Sequence, residues 1–358
     1  MNLRAFCLIA LLSTAAVARA QEPLPDEEGM TAEEAAQMQA VQDATQAYYT
    51  RAAIELAVGD KARDLALAAT LLQFATQAPP PDGARASDAP SQPSPQDPRI
   101  DEWRRLASTR GGKDVLVDAL LMQADTPGNT QRRDQAAERW RRLEPDNLAP
   151  LLFTASPATD LVAAARTTSR FDLHMYEQVR WMQSALQAHP PGAAERAILS
   201  GGEDVPPNEA AAMTAMGIWA AVGIPSMQAV TAACRGDARS SSPTRREDCR
   251  HVAQVMADQS DTSIGTSIGI ALLQQIAATP EQRLDADERR RRQDWWMLQW
   301  GRVASQQPHD GSEQFARLLL DPTIGREQDL IERVLTDAGV ALDPPAGWQP
   351  PPRAAVAD

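Results

Sequence analysis

From Arg99 to about residue 338 the chain repeats one pattern: a stretch with apolar residues at helical spacing, a short breaker, and a second such stretch. No run of alternating β-branched residues is long enough to suggest a strand, so this region carries no sign of a sheet. The breakers are Gly111-Gly112, Asp146-Asn147, Pro190-Pro191-Gly192, Gly223-Ile224-Pro225, Asp258 to Asp261 and Pro308 to Gly311. Such clusters interrupt helices because Pro removes an amide donor while Gly, Asn and Asp favour turns. The pattern predicts helical pairs beginning near residues 97, 129, 171, 207, 244, 281 and 324. A single pair cannot bury its own apolar face, so the pairs must stack. The expected fold is all-α, with antiparallel helix pairs stacked as an irregular α-solenoid over residues 99–338.

A helical hairpin is expected ahead of this array, over residues 31–77. Thr31-Ala32-Glu33-Glu34 has Thr and Glu at capping-box spacing, which satisfies the first amides of a helix. That helix runs to about Val58, and Gly59-Asp60 breaks it. A second helix follows to about Gln77, with Leu65, Ala68, Leu72 and Ala75 at helical spacing. Residues 78–98 hold seven prolines and read as a disordered linker; residues 339–358 read as a Pro-rich flexible tail.

Residues 1–20 have the form of a secretory signal peptide: Arg4, an uncharged apolar run from Ala5 to Val17, then Ala18-Arg19-Ala20 before Gln21. The run is shorter than the roughly 20 residues that a membrane span needs. Export places the mature chain in the periplasm or outside the cell. Removing Arg4 and Arg19 from the 35 basic residues leaves 33 against 48 acidic ones, a formal charge of −15. Nucleic-acid binding rests on phosphate neutralisation by clustered cations, and this balance argues against it. Ala210 to Cys234 is uncharged, but Gly223-Ile224-Pro225 divides it into two buried soluble helices, so no membrane span is expected in the mature chain.

Two cysteines remain after processing, Cys234 and Cys249. In an oxidising compartment they are expected to form one disulfide stapling the polar connection between two helices. A metal site with His251 is the competing assignment, but two cysteines without a CxxC make a poor ligand set. The four histidines show no ligand spacing, and no metal or other cofactor is expected.

Tryptophans 103, 140, 181, 219 and 295 fall in the first helix of their units at intervals of 37, 41, 38 and 76 residues. Trp103-Arg104-Arg105-Leu106 and Trp140-Arg141-Arg142-Leu143 share local sequence. Ala136-Ala137, Trp140-x-x-Leu143 and the Pro145-Asp146-Asn147 turn resemble the tetratricopeptide-like helical repeat proteins. Where that family commonly has Gly after the Leu, this chain has Ala107 and Glu144; where Tyr is common, it has Arg110 and Asn147. The resemblance implies an α-solenoid-like fold that binds a protein or peptide, and it carries over no functional residue.

Gly265-Thr266-Ser267-Ile268-Gly269 matches the hydrolase pattern G-x-S-x-G, with His309 downstream as a base. The pattern needs a buried strand before the Ser, whereas residues 254–261 are polar and helix-like. The two glycines are instead expected to let a neighbouring helix approach closely. No catalytic residue is nominated. The Glu-Ser and Gly-Leu-Met-Gln elements of the all-helical lytic transglycosylases are both absent. The expected function is a non-enzymatic, exported binding scaffold; the alternative is an all-α envelope enzyme, such as a cell-wall glycan hydrolase, with an unrecognised active site. Partner-binding candidates are Arg104, Arg105, Arg141, Arg142 and Arg180, exposed between the tryptophans of an acidic protein, unless Glu102, Glu138 and Glu177 pair with them.

Overall fold

The computed structural model describes residues 31–76, 97–122, 130–154, 158–235, 243–306 and 310–350. These residues form sixteen α-helices and no strand, with helix pairs packed against one another. The segment assigned as a signal peptide, most of the Pro-rich stretch 78–98, and His309 lie outside the described residues.

Helix α1 (Ala32–Val58) begins at the expected capping box: Glu34 N donates to Thr31 Oγ1 (3.2 Å) and Thr31 N to Glu34 Oε2 (2.9 Å). Asp60 turns the chain at φ +57° into α2 (Ala62–Thr76). The seven unit-opening helices are α3 (Pro98–Arg110), α5 (Thr130–Leu143), α8 (Met175–Ala188), α10 (Pro207–Val222), α12 (Pro243–Gln259), α14 (Pro280–Gln306) and α16 (Glu327–Asp337). Each starts within four residues of its expected position. Four open on proline, whose missing amide costs nothing at a helix's first position and whose fixed φ suits the turn. Asp97 and Pro98, read from sequence as linker, therefore belong to α3, with Asp97 accepting from Arg99 N.

Shorter helices fill the intervals: α4 (Val115–Met122), α6 (Ala149–Leu152), α7 (Ala158–Ala164), α9 (Ala193–Leu199), α11 (Gln228–Cys234), α13 (Ser263–Ile276) and α15 (Asp310–Leu319). The N-terminal hairpin does not stand apart. Residues 65–73 of α2 are all buried, because α1, α3 and α4 pack around it, and one core runs from Tyr48 to Leu335. Packing also joins elements distant in sequence. α9 sits on α1 through Arg51–Glu195 (2.7 Å) and His189–Glu55 (3.1 Å), and α15 sits on α10, where Ser312 Oγ donates to Glu209 Oε2 (2.8 Å).

The helical pattern did not reveal an extended segment ahead of α8. Residues 168–174 run between two turns, bridging Asn147 to Arg170 on one side and Phe171 to Ser260 on the other. Leu148 N donates to Arg170 O (2.9 Å), Phe171 N to Gln259 O (3.1 Å) and Asp261 N to Phe171 O (3.1 Å). Two of the breakers expected only to end helices, Asp146-Asn147 and Asp258 to Asp261, thus pair with this segment.

Gly265 and Gly269 lie in α13, and a Cβ at Gly269 would come within 2.8 Å of Ala253 O and Met256 C on α12. Cys234 and Cys249 are bonded, with Cα atoms 5.6 Å apart, and join α11 to α12. The segment from residue 339, expected to be a free tail, is strapped to α14 as far as residue 350. Trp295 Nε1 donates to Ala341 O (2.8 Å), Trp296 Nε1 to Leu342 O (2.7 Å), and Trp348 meets Trp295 edge-on. Arg292 pairs with Asp343 of that strap. Along α14, Glu288 pairs with Arg291 and Asp285 with Arg289.

Candidate functional site

The five candidate arginines do not form one exposed surface. Arg104 is a correction: it is 1 % exposed, and its guanidinium donates to Gln73 Oε1 of α2. One position along a helix rotates the side chain by about 100°, so Arg104 faces the core while Arg105 faces solvent. Burial lowers the Arg104 pKa to about 10. Arg105 pairs with Glu102, and Arg141 and Arg142 both pair with Glu138, the local acids that sequence offered as competitors. Arg180 ignores Glu177. Its guanidinium reaches the carbonyls of Leu319, Asp321 (2.7 Å) and Ile324, closing the end of α15 against α8.

Arg180 also lines a basin of about 910 Å³ that sequence reasoning did not find. Along α8, Glu177, Arg180, Trp181 and Ser184 recur at three- and four-residue spacing and form one wall. Arg63 from α2 and the turn Lys113-Asp114 form another, with Val115 and Leu116 beneath. Glu144 and His174 close the floor. Arg63 is held by Asp114 through two contacts, one of 2.9 Å from Nη2. Lys113 is exposed and has no partner among the described residues.

His174 organises this floor. Its backbone sits in the left-handed region, φ +55° and ψ +34°, uncommon for a residue with a Cβ. The turn aims the ring back between two acids: Nε2 lies 3.0 Å from Glu144 Oε2, and Nδ1 lies 3.0 Å from Glu177 Oε2. Asp172 adds its charge to Nδ1 at 3.8 Å and accepts from the His174 amide (2.8 Å). Glu144 Oε2 also accepts from Trp140 Nε1 (2.6 Å) and Asn147 Nδ2 (3.0 Å), while Arg170 approaches Oε1 at 3.0 Å. Burial opposes charge on both groups. The hydrogen bonds outweigh it, holding the Glu144 carboxyl well below its usual range and raising His174 to about 10.

These shifts limit the chemistry. Both ring nitrogens of His174 are engaged by carboxylates, which favours the doubly protonated ring, and Glu144 is favoured as the carboxylate, so neither group is free to exchange a proton with a ligand. The basin presents the cations Arg63, Lys113, His174 and Arg180 against the anions Asp114, Glu144 and Glu177. Charges of both signs therefore line it, and Trp181 supplies an aromatic wall.

The sequence carried one overlooked signal. Glu144 and Asn147 are two of the four positions noted above where the chain departs from the tetratricopeptide-like pattern, and both bond within the floor cluster. Among the described residues no group of three or more His, Cys, Asp or Glu side chains is arranged to hold a metal ion, and no helix is long and apolar enough to cross a membrane. Comparison with family models, with curated proteins and with solved structures finds no match to this chain.

Proposed function

We propose that this is an exported, non-enzymatic scaffold of the bacterial envelope, an irregular α-solenoid of tetratricopeptide-like kind, and that it receives a protein or peptide partner in the basin at His174. The observation that carries this reading is that both ring nitrogens of His174 are taken by Glu144 and Glu177, while the same Glu144 oxygen also accepts from Trp140 and Asn147. Catalysis by general acids and bases needs a group able to exchange a proton near the working pH, and the His174–Glu144 pair is held far from that condition. Preset charges beside an aromatic wall serve recognition instead, where they orient a partner and select its charge. The Cys234–Cys249 disulfide supports an oxidising compartment.

Lys113, which has no partner among the described residues, and the half-buried Trp181 define the contact. A photo-crosslinking residue at Ser184, inside the basin, is compared with one at Thr109, exposed on α3. In cells that produce the protein natively, adducts with a defined protein are expected from position 184 and not from 109, and Lys113→Glu should reduce them. Equal labelling from the two positions, or none from 184, refutes this site.

A further inference from the structure

Behind the basin, three helices begin at one point, and each first amide is satisfied by a group from another element. Met175 N of α8 donates to Asp261 Oδ2 (3.0 Å). Ser263 N of α13 donates to Glu327 Oε2 (2.6 Å), and Glu327 N of α16 donates to Asp261 O (2.9 Å). Asp261 is 4 % exposed. Its Oδ1 has no hydrogen-bond partner among the described residues, and the nearby Leu173 amide, like that of Met175, favours the charged form without offsetting the burial. Helix N-termini favour a negative charge, but this junction holds two carboxyls, with Asp172 close by.

We propose that this junction is a proton-operated latch: a proton on Asp261 keeps the start of α16 docked against the Asp261 turn and the start of α13, and its loss to solvent favours an opened form in which residues 319–330 detach. An ionised carboxylate oxygen buried without a donor is costly, and a proton removes the charge. The groups facing Asp261 are Asp172 and His174 from the extended segment, Tyr176 from α8, and Glu327 from α16; Arg180 and Asp329 complete the charged set around Tyr176. From α13 the junction receives Ser263 and Thr266, neither of them charged. Burial and then Asp172 push Asp261 up to about 7, and burial also raises Glu327. An exposed Asp titrates near 3.9. The docked form therefore binds the extra proton between those values, so docking weakens as pH rises through that window and levels off above it. Opening would also withdraw the carbonyls of Leu319, Asp321 and Ile324 from Arg180, so the latch reaches the basin wall.

Hydrogen exchange of the full chain, read on peptides covering residues 259–264 and 320–330 and corrected for intrinsic chemistry, tests this at about pH 5 and about pH 7.5. The opening equilibrium is expected to rise on the order of tenfold or more across that interval. In Asp261→Asn, which keeps an oxygen for Met175 N and cannot ionise, the rise should vanish. A flat wild-type profile, or the same rise in the Asn variant, overturns the latch. The Asp261 carboxyl ¹³C shift in the wild-type chain needs no variant: a midpoint below about 5 also overturns it, being close to that of an exposed Asp.

Discussion

His174 Nε2 and Glu144 Oε2 lie 3.0 Å apart across thirty residues of chain, joining the end of α5 to the start of α8. Both side chains are mostly buried. Removing one partner of such a pair strands the other's charge in a poorly solvated site. Glu144→Gln is expected to lower stability by about 3 kcal/mol, measured by urea unfolding. A cost near zero would mean that the pair is solvated and exchangeable.

The same pair sets a pH profile. His174 is raised, so its contribution is complete below the ordinary histidine value of about 6.5 and is lost as pH rises through about 10. Glu144 is lowered, so its contribution is present above the usual carboxylate range and is lost as pH falls toward its depressed value. Imidazole NMR should therefore show His174 still protonated at pH 8. A midpoint at the ordinary histidine value would remove the argument against acid–base chemistry in the basin.

Gly269 is a close contact between α12 and α13, and its missing side chain would meet backbone rather than a movable group. Gly269→Leu should destabilise by about 3 kcal/mol or more, since backbone cannot rotate away. Ser267→Ala should leave stability and any partner recovery unchanged. Thermal melts of both variants decide between packing and a hydrolase reading of this segment.

The disulfide links residues 15 apart. Replacing Cys234 and Cys249 with Ser together should cost about 3 kcal/mol by loop closure while keeping the helical circular dichroism spectrum. Non-reducing peptide mapping of the wild type should recover one intramolecular bridge. Free thiols or bridged dimers would contradict the pairing.

Neighbouring arginines should behave differently. Arg104→Gln should lower stability by about 2 kcal/mol, since it leaves Gln73 without its buried donor. Arg105→Gln, Arg141→Gln and Arg142→Gln together remove exposed pairs and should leave the unfolding midpoint unchanged. A large loss in the triple variant would restore a structural or binding role to that surface.

The sequence by itself determined where helices start and stop. Pro207, Pro243 and Pro280 open helices, Thr31 and Glu34 cap one, and Gly59 and Gly111 end two, because these effects act over one turn of backbone. The pairing of Cys234 with Cys249 was legible for a related reason: once processing leaves two cysteines, there is one intramolecular choice. What faces what was decided only by the tertiary structure. Arg104 and Arg105 are the same residue one step apart, and packing of α3 on α2 alone sends one inward. Asp172 and His174 are unremarkable in line, and join Glu144 and Glu177 as a site because the segment through Arg170 and Phe171 bridges the turns at 147 and 260. Asp261 reads as part of a breaker, yet it caps a helix that begins 86 positions away. Local backbone preferences depend on a few neighbours and can be read in order along the chain. Charge state and exposure depend on what the folded chain brings within a few ångströms, and that proximity is set by the packing of the whole core.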